Sequence, residues 1–255
     1  MNMHLADHVE VYPHCRLWLA YFSEDSDESI AATTHDIEEA KFSDQDLLRW
    51  QQFRPVAKKR QFLNSRLAIR AVLNREFGNE AENITYDSDS FGCPLLLSRE
   101  KRHVAHISLS HSANAVAVVI SDEQSPVGVD IEVRAPLRTE ALRLVALHPH
   151  EQVWCDLHAG LESEALTTLW TIKESVWKTL REMQDIPLSE ISITFDSGIP
   201  TPVVSHYFSE TPRFRTQIFV QHSVQIVPGT LCLLTGNNAL RGCVTQRMTR
   251  LGRKQ

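Results

Sequence analysis

The stretch "PVGVDIEV", Pro126 to Val133, places Asp130 and Glu132 inside an otherwise apolar run. Val and Ile favour strands, and strand side chains alternate between faces. Val127, Val129, Ile131 and Val133 therefore point one way and both carboxylates the other. One reading is the solvent face of a half-buried strand. Against it, like charges two apart on a strand repel, and Asp is a poor strand former. A divalent cation held by both acids would turn repulsion into attraction, and carboxylate oxygens suit Mg²⁺ or Ca²⁺.

The chain has 255 residues, enough for one large domain or two small ones. Hydrophobic residues make up 42% and charged residues 23%, the balance of an ordinary soluble globular protein. The formal net charge of −6 argues against a general nucleic-acid binder. The opening "MNMHLADHVE" has neither the basic segment nor the apolar core of a signal peptide. No apolar run approaches the roughly 20 residues that span a bilayer. Cys15, Cys93, Cys155, Cys232 and Cys243 are scattered and include no C-x-x-C pair. That pattern fits a reducing cytoplasm rather than a disulfide framework or a zinc site. "HPHE" at 148–151 sets two histidines near an acid, without the partner cluster a zinc site needs.

Residues 11–22, "VYPHCRLWLAYF", read as a strand that opens the fold, and "SEDSDES" at 23–29 as an acidic surface loop. From Asp44 to Phe77 the pattern is helical, and Pro55 divides it into two helices. "FGCP" at 91–94 is a turn. "HVAHISLSH" and "NAVAVVISD" are two strands joined at "HSAN", and the "VGVDIEV" strand follows. "SEALTTLWTIKESVWKTLREM", 163–183, is an amphipathic helix. "ISITFD", "RFRTQIFVQ" and "GTLCLLTG" are strands, and the tail from Arg241, with five basic residues and no acid, is expected to fray. A long helix followed by strands thus occurs twice. The order predicts an α+β fold of two similar halves, 1–125 and 126–255, with the hinge near Gln124 to Val127.

Glu174 and Lys178 stand one turn apart on the second long helix, among Trp170, Val176 and Trp177. Three carboxylates, Asp130, Glu132 and Glu174, could hold one Mg²⁺ with positions left for phosphate oxygens, and Lys178 could neutralise a leaving phosphate. The helix bearing Lys58, Lys59, Arg60, Arg66 and Arg70 supplies cations for another phosphate, or is simply a solvated basic face. Ser110 and His111, at the end of a strand, can bind an anion with the turn amides. As strand neighbours they face opposite ways and do not form a catalytic pair.

"FGCP", "HISLSHS", "PVGVDIE" and "LWTIKESVWK", in this order, resemble the signature of 4′-phosphopantetheinyl transferases of the surfactin-synthetase (Sfp) type, within the holo-acyl-carrier-protein synthase superfamily. The resemblance spans roughly Pro55 to Lys178. Its specific part is G-[IV]-D-[IV]-E, followed about forty residues later by W-x-x-K-E-[SA]-x-x-K.

The resemblance implies an α+β fold of two pseudo-symmetric halves, each a long helix on a small antiparallel sheet, with the active site between them. It implies a magnesium held by Asp130, Glu132 and Glu174, with Mn²⁺ as an alternative. Coenzyme A phosphates would be contacted by Lys178, Ser110 and His111, and the 3′-phosphate by Arg60, Arg66 and nearby Lys59. Glu151 matches a family glutamate considered as a base. Many members read Gly-Lys-Pro where this chain has Gly92, Cys93 and Pro94, so a cation is missing at Cys93 or is replaced by another. The implied reaction moves 4′-phosphopantetheine from coenzyme A to a serine of an apo acyl or peptidyl carrier protein. The implied enzyme is a cytoplasmic monomer without nucleic-acid or membrane partners. Two rivals stay open: another Mg²⁺-dependent enzyme acting on a pyrophosphate, and a carrier-binding module that has lost its coenzyme site.

Overall fold

The structure is a computed structural model that describes residues 3–12, 14–23, 34–89, 93–122, 126–133, 139–157, 162–180, 187–196, 199–203, 214–220, 229–236 and 244–246. The acidic stretch beyond Ser23, Gly92 and most of the tail, each read above from the sequence, lie outside them.

Strands β1 (Met3–Leu5), β2 (Val9–Tyr12) and β3 (Cys15–Phe22) open the chain. The single strand read at 11–22 is therefore corrected to a hairpin. His14, at φ 62°, lies in its turn, and β2 and β1 pair with successive halves of β3. Helix α1 (Thr34–Ala40) precedes the two helices expected on either side of Pro55, α2 (Asp44–Gln52) and α3 (Val56–Phe77). Ser43 caps α2 reciprocally with Asp46, satisfying two of the amides a helix start leaves open. Pro55, with its fixed φ, starts α3, and Gly78, at φ 53°, ends it.

After α3 come β4 (Thr85–Ser88), β5 (Pro94–Leu97), β6 (His103–Ser112) and β7 (Ala115–Ser121), all antiparallel neighbours. The first sheet runs β1-β3-β7-β6-β5-β4, with β2 also on β3. All seven residues of β7 are buried, because both its faces are covered. Val116, Val118 and Ile120 meet Leu63, Leu67, Ile69 and Val72 of α3. The alternate residues Ala115, Ala117 and Val119 join Cys15 and Leu17 against Val127, Val129 and Ile131. Those last three belong to β8 (Val127–Val133), so its apolar side faces the first sheet, as its alternation requires.

Helices α4 (Thr139–Ala146), α5 (Pro149–Leu157) and α6 (Glu162–Thr179) follow. The long helix thus begins one residue before the expected span and stops at Thr179. Strands β9 (Ser192–Asp196) and β10 (Ile199–Val203) form a hairpin. Strands β11 (Phe214–Val220) and β12 (Gly229–Gly236) join β8 in the order β11-β12-β8. The tail expected to fray holds β13 (Val244–Gln246), parallel to β11. The fold is α+β, with a long helix against each main sheet. The sheets are unequal, seven strands against four.

Helix α6 lies on the polar side of β8. A Cβ at Gly128 would overlap the Ser175 carbonyl oxygen and stand 2.5 Å from Thr179 Oγ1, so glycine permits this close approach. Behind α6, Lys173 and Glu151 form an ion pair at 2.6 Å, both side chains 0% exposed. Lys173 also donates to the carbonyls of Ala146 and Leu188. Glu151 accepts from the amides of His148 and Ile193, so both charges have several hydrogen-bond partners within the second core. Burial pushes the Lys173 ammonium down, and Glu151 opposes that shift.

Two outcomes follow for stability. Gly128→Ala should cost about 1–3 kcal/mol, the range for forcing atoms into a packed contact, and lower the melting temperature; an unchanged midpoint would show that α6 does not rest there. Lys173→Met should cost about 3–5 kcal/mol by stranding a buried carboxylate, whereas adding Glu151→Leu should restore most of it. Denaturant unfolding separates the two, and a single variant as stable as the native chain would contradict the pair's structural role.

Candidate functional site

Three serines of β6, at alternate positions, point toward β8. Ser108 Oγ accepts from the Val129 amide at 3.2 Å, Ser110 Oγ donates to Asp130 Oδ1 at 2.7 Å, and Ser112 Oγ donates to Glu132 Oε2 at 3.0 Å. On the far side Lys178, in the last turn of α6, donates to Asp130 Oδ1 at 2.7 Å and to the Val129 carbonyl at 3.2 Å. Asp130 is thus held from both sides while only 3% exposed. Its second oxygen, Oδ2, is buried and receives no hydrogen bond. A buried carboxylate oxygen without a donor is costly unless a cation or water meets it.

Glu132 and Glu174 flank this centre. Burial pushes the Glu132 carboxyl up, and repulsion from Asp130 adds to it, while the Ser112 hydroxyl and Lys178 oppose. Burial likewise raises Glu174, with Lys178 lowering it and Asp130 raising it. A divalent cation among these oxygens would relieve both the desolvation and the repulsion, so the donor set fits a hard metal ion. Among the described residues, no three such side chains already stand in a ligating arrangement. Lys178 occupies the near oxygen of Asp130, so the acids would have to close on a cation.

Beside this centre lies a cavity of about 530 Å³ whose walls come from α2, α3, β4, β5, β6 and α6. Arg49, Lys58, Arg66, His111 and Lys178 line it, and no carboxylate does among the described lining residues. Such a wall suits a polyanion. Phe53, Phe62, Tyr86 and Trp177 provide flat apolar surface. His111 projects from the face of β6 opposite to Ser110, as alternation requires. Crowding pushes its imidazole down, assisted by Lys178 and Lys58 and opposed by Asp130.

The other site candidates take distinct places. Arg66 reaches the cavity but is already buried against Asp46, its Nη2 2.6 Å from Oδ1, and stacked on Phe62 and Tyr86. The Lys59 ammonium lies 4.5 Å over the Trp50 ring, and neither Lys59 nor Arg60 lines the cavity. Glu151 is closed off from solvent by its pair with Lys173, which gives it the surroundings of a structural acid rather than of a base that must meet substrate. Cys93 does line the cavity, with Arg49 and Lys58 on the same wall system to supply positive charge.

Sequence reasoning missed Arg49, Asp46 and the outer serines. Asp46 had a legible signal in the Ser43–Asp46 cap, and Ser108, Ser110 and Ser112 in their spacing of two. Arg49 had none, since only tertiary packing turns the end of α2 toward the cavity.

The sequence model of the 4′-phosphopantetheinyl transferase superfamily matches residues 126–232, which hold Asp130, Glu132, Glu174 and Lys178. The 4′-phosphopantetheinyl transferase gsp of Aneurinibacillus migulanus is 29% identical over 128 residues, 50% of this chain and 51% of that protein. The 4′-phosphopantetheinyl transferase Sfp of Bacillus subtilis is 25% identical over 135 residues, 49% of this chain and 54% of that one. A second B. subtilis transferase, ffp, is 23% identical over 164 residues, 63% of this chain and 66% of that one. The chain thus spans about half to two thirds of the length of these relatives. On these matches, residues 126–232 are similar to the 4′-phosphopantetheinyl transferase superfamily.

Proposed function

We propose that this chain transfers 4′-phosphopantetheine from coenzyme A to a serine hydroxyl of an apo carrier protein, releasing adenosine 3′,5′-bisphosphate. The observation that carries the reading is the cationic cavity, without a carboxylate among its described lining residues, that ends at Lys178, whose ammonium also holds Asp130. Coenzyme A is a polyanion with a flat base, which matches cationic and aromatic walls in one cavity.

Asp130, Glu132 and Glu174 would hold Mg²⁺, or Mn²⁺ in its place. The ion would neutralise pyrophosphate charge and align its oxygens. In the transfer, the serine oxygen forms a bond to the phosphorus that bears pantetheine, and the bridging oxygen leaves with the adenosine bisphosphate. Lys178 neutralises the charge that gathers on that leaving phosphate. The serine proton is taken up by a carboxylate oxygen at the acid centre, within reach of the hydroxyl. Ser110 keeps Asp130 oriented, and His111 and Lys58 face the phosphates. Arg66, oriented by Asp46, presents its outer guanidinium edge to the same ligand, while Lys59 and Arg60 add charge at the rim.

Buried cysteines in thiol form at 15, 93 and 155 fit a cytoplasmic setting. Among the described residues no helix is long and apolar enough to cross a membrane. The halves 1–125 and 126–255 would contribute the cationic wall and the acids respectively.

Incubating the chain with coenzyme A, Mg²⁺ and apo-carrier should add one phosphopantetheine to the carrier serine, read by mass spectrometry. Adenosine bisphosphate without carrier modification would favour a pyrophosphate hydrolase instead. Lys58→Ala should weaken use of coenzyme A by about 1.5–3 kcal/mol in kcat/KM, the worth of a charged hydrogen bond, and affect dephospho-coenzyme A less. Equal losses with both donors would remove Lys58 from the 3′-phosphate contact.

A further inference from the structure

Outside the cleft, the start of α5 holds a second constellation that the proposed reaction does not use. His148 and His150 flank Pro149, which opens the helix, and both imidazoles are exposed. Their Nδ1 atoms stand 3.0 Å apart. The Nε2 of His150 lies 2.9 Å from the Ile193 carbonyl oxygen. A carbonyl only accepts, so Nε2 carries the proton, and the Nδ1 lone pair of neutral His150 accepts from the Nδ1–H of His148, a proton that a metal ion would displace.

We propose that His148 and His150 form a two-imidazole site for a tetragonal transition-metal ion, Cu²⁺ or Ni²⁺, with water completing the coordination. The separation fits one geometry better than another. With metal–nitrogen bonds of about 2.0–2.1 Å, ligands at a right angle stand about 2.9 Å apart and tetrahedral ones about 3.3 Å. The spacing that the hydrogen bond sets is compatible with a square-planar or octahedral edge, the geometry that Cu²⁺ and Ni²⁺ prefer.

The support is rigid. The His148 amide donates to Glu151 Oε2 at 2.7 Å, and its carbonyl accepts from the amides of Glu151 and Gln152. Ile193, which orients the His150 ring, donates its own amide to Glu151 Oε1 at 2.7 Å. The backbone of His148 and, through Ile193, the ring of His150 are therefore fixed from the buried Glu151–Lys173 pair. A carbonyl on the outer nitrogen is also the usual device that sets the tautomer and direction of a metal-binding histidine. Imidazole nitrogens suit Cu²⁺ and Ni²⁺, which separates this exposed site from the carboxylates, which favour Mg²⁺.

Titrating the full chain with Cu²⁺ in excess Mg²⁺, by calorimetry and electron paramagnetic resonance, tests the site. The native chain should bind one more Cu²⁺ than His148→Ala or His150→Ala, with the carriers of the transfer activity unaffected. Its spectrum should be axial, with coupling to two imidazole nitrogens that is lost in either variant. Equal stoichiometry in all three proteins, or coupling to a single imidazole in the native chain, would overturn the proposal. Far-ultraviolet circular dichroism of the variants distinguishes a lost site from a lost fold. Failure here would leave the phosphopantetheine transfer untouched, because that assay reads a different site.

Discussion

Asp130 is a carboxylate almost wholly removed from water, and the surrounding structure is arranged to make that tolerable. Ser110 and Lys178 approach one oxygen from different elements, and the other oxygen receives no hydrogen bond. A lone buried anion would cost several kcal/mol or take up a proton. Holding it requires β6 on one side and the last turn of α6 on the other. That in turn requires the close approach of α6 to β8, which Gly128 permits. The apolar side of the same strand is seated against β7 and β3, so one seven-residue element ties the first sheet to the acid centre.

Charge separation organises the rest. Cations gather on the cavity wall and acids on β8 and α6, with Lys178 at the boundary between them. A pyrophosphate with a counter-ion would bridge that boundary, its anionic oxygens meeting Lys58, Arg49 and Lys178, and its metal meeting the acids. Arg66 shows how such a wall is kept rigid. Its guanidinium is fixed by Asp46 and stacked on two aromatic rings, and Asp46 is itself fixed by its role in capping α2.

Much of this was legible in the sequence wherever one short-range rule governs. Pro55 divides α2 from α3, "HSAN" turns β6 into β7, and alternation separates the two faces of β8. The limits came where tertiary contact decides. A turn at His14 hides a hairpin inside an apolar run that reads as one strand. Helices α4 and α5 are short and expose Leu144, Val145, Val153 and Leu157, so their pattern does not announce a buried face. Lys173 looked like one more member of an amphipathic stripe, and Glu151 like an available acid. Nothing local shows that they are each other's partner, 22 residues apart and fully buried.

The central claim is that Asp130 reserves an oxygen for a cation that Glu132 and Glu174 help to hold. Mn²⁺ binding to the native chain and to Asp130→Asn, followed by electron paramagnetic resonance, addresses it directly. The account predicts one Mn²⁺ site in the native chain that is lost in Asp130→Asn. Its affinity should weaken as pH falls, because Glu132 and Glu174, raised above ordinary carboxylates, take up protons early. Undiminished Mn²⁺ binding by folded Asp130→Asn would contradict it.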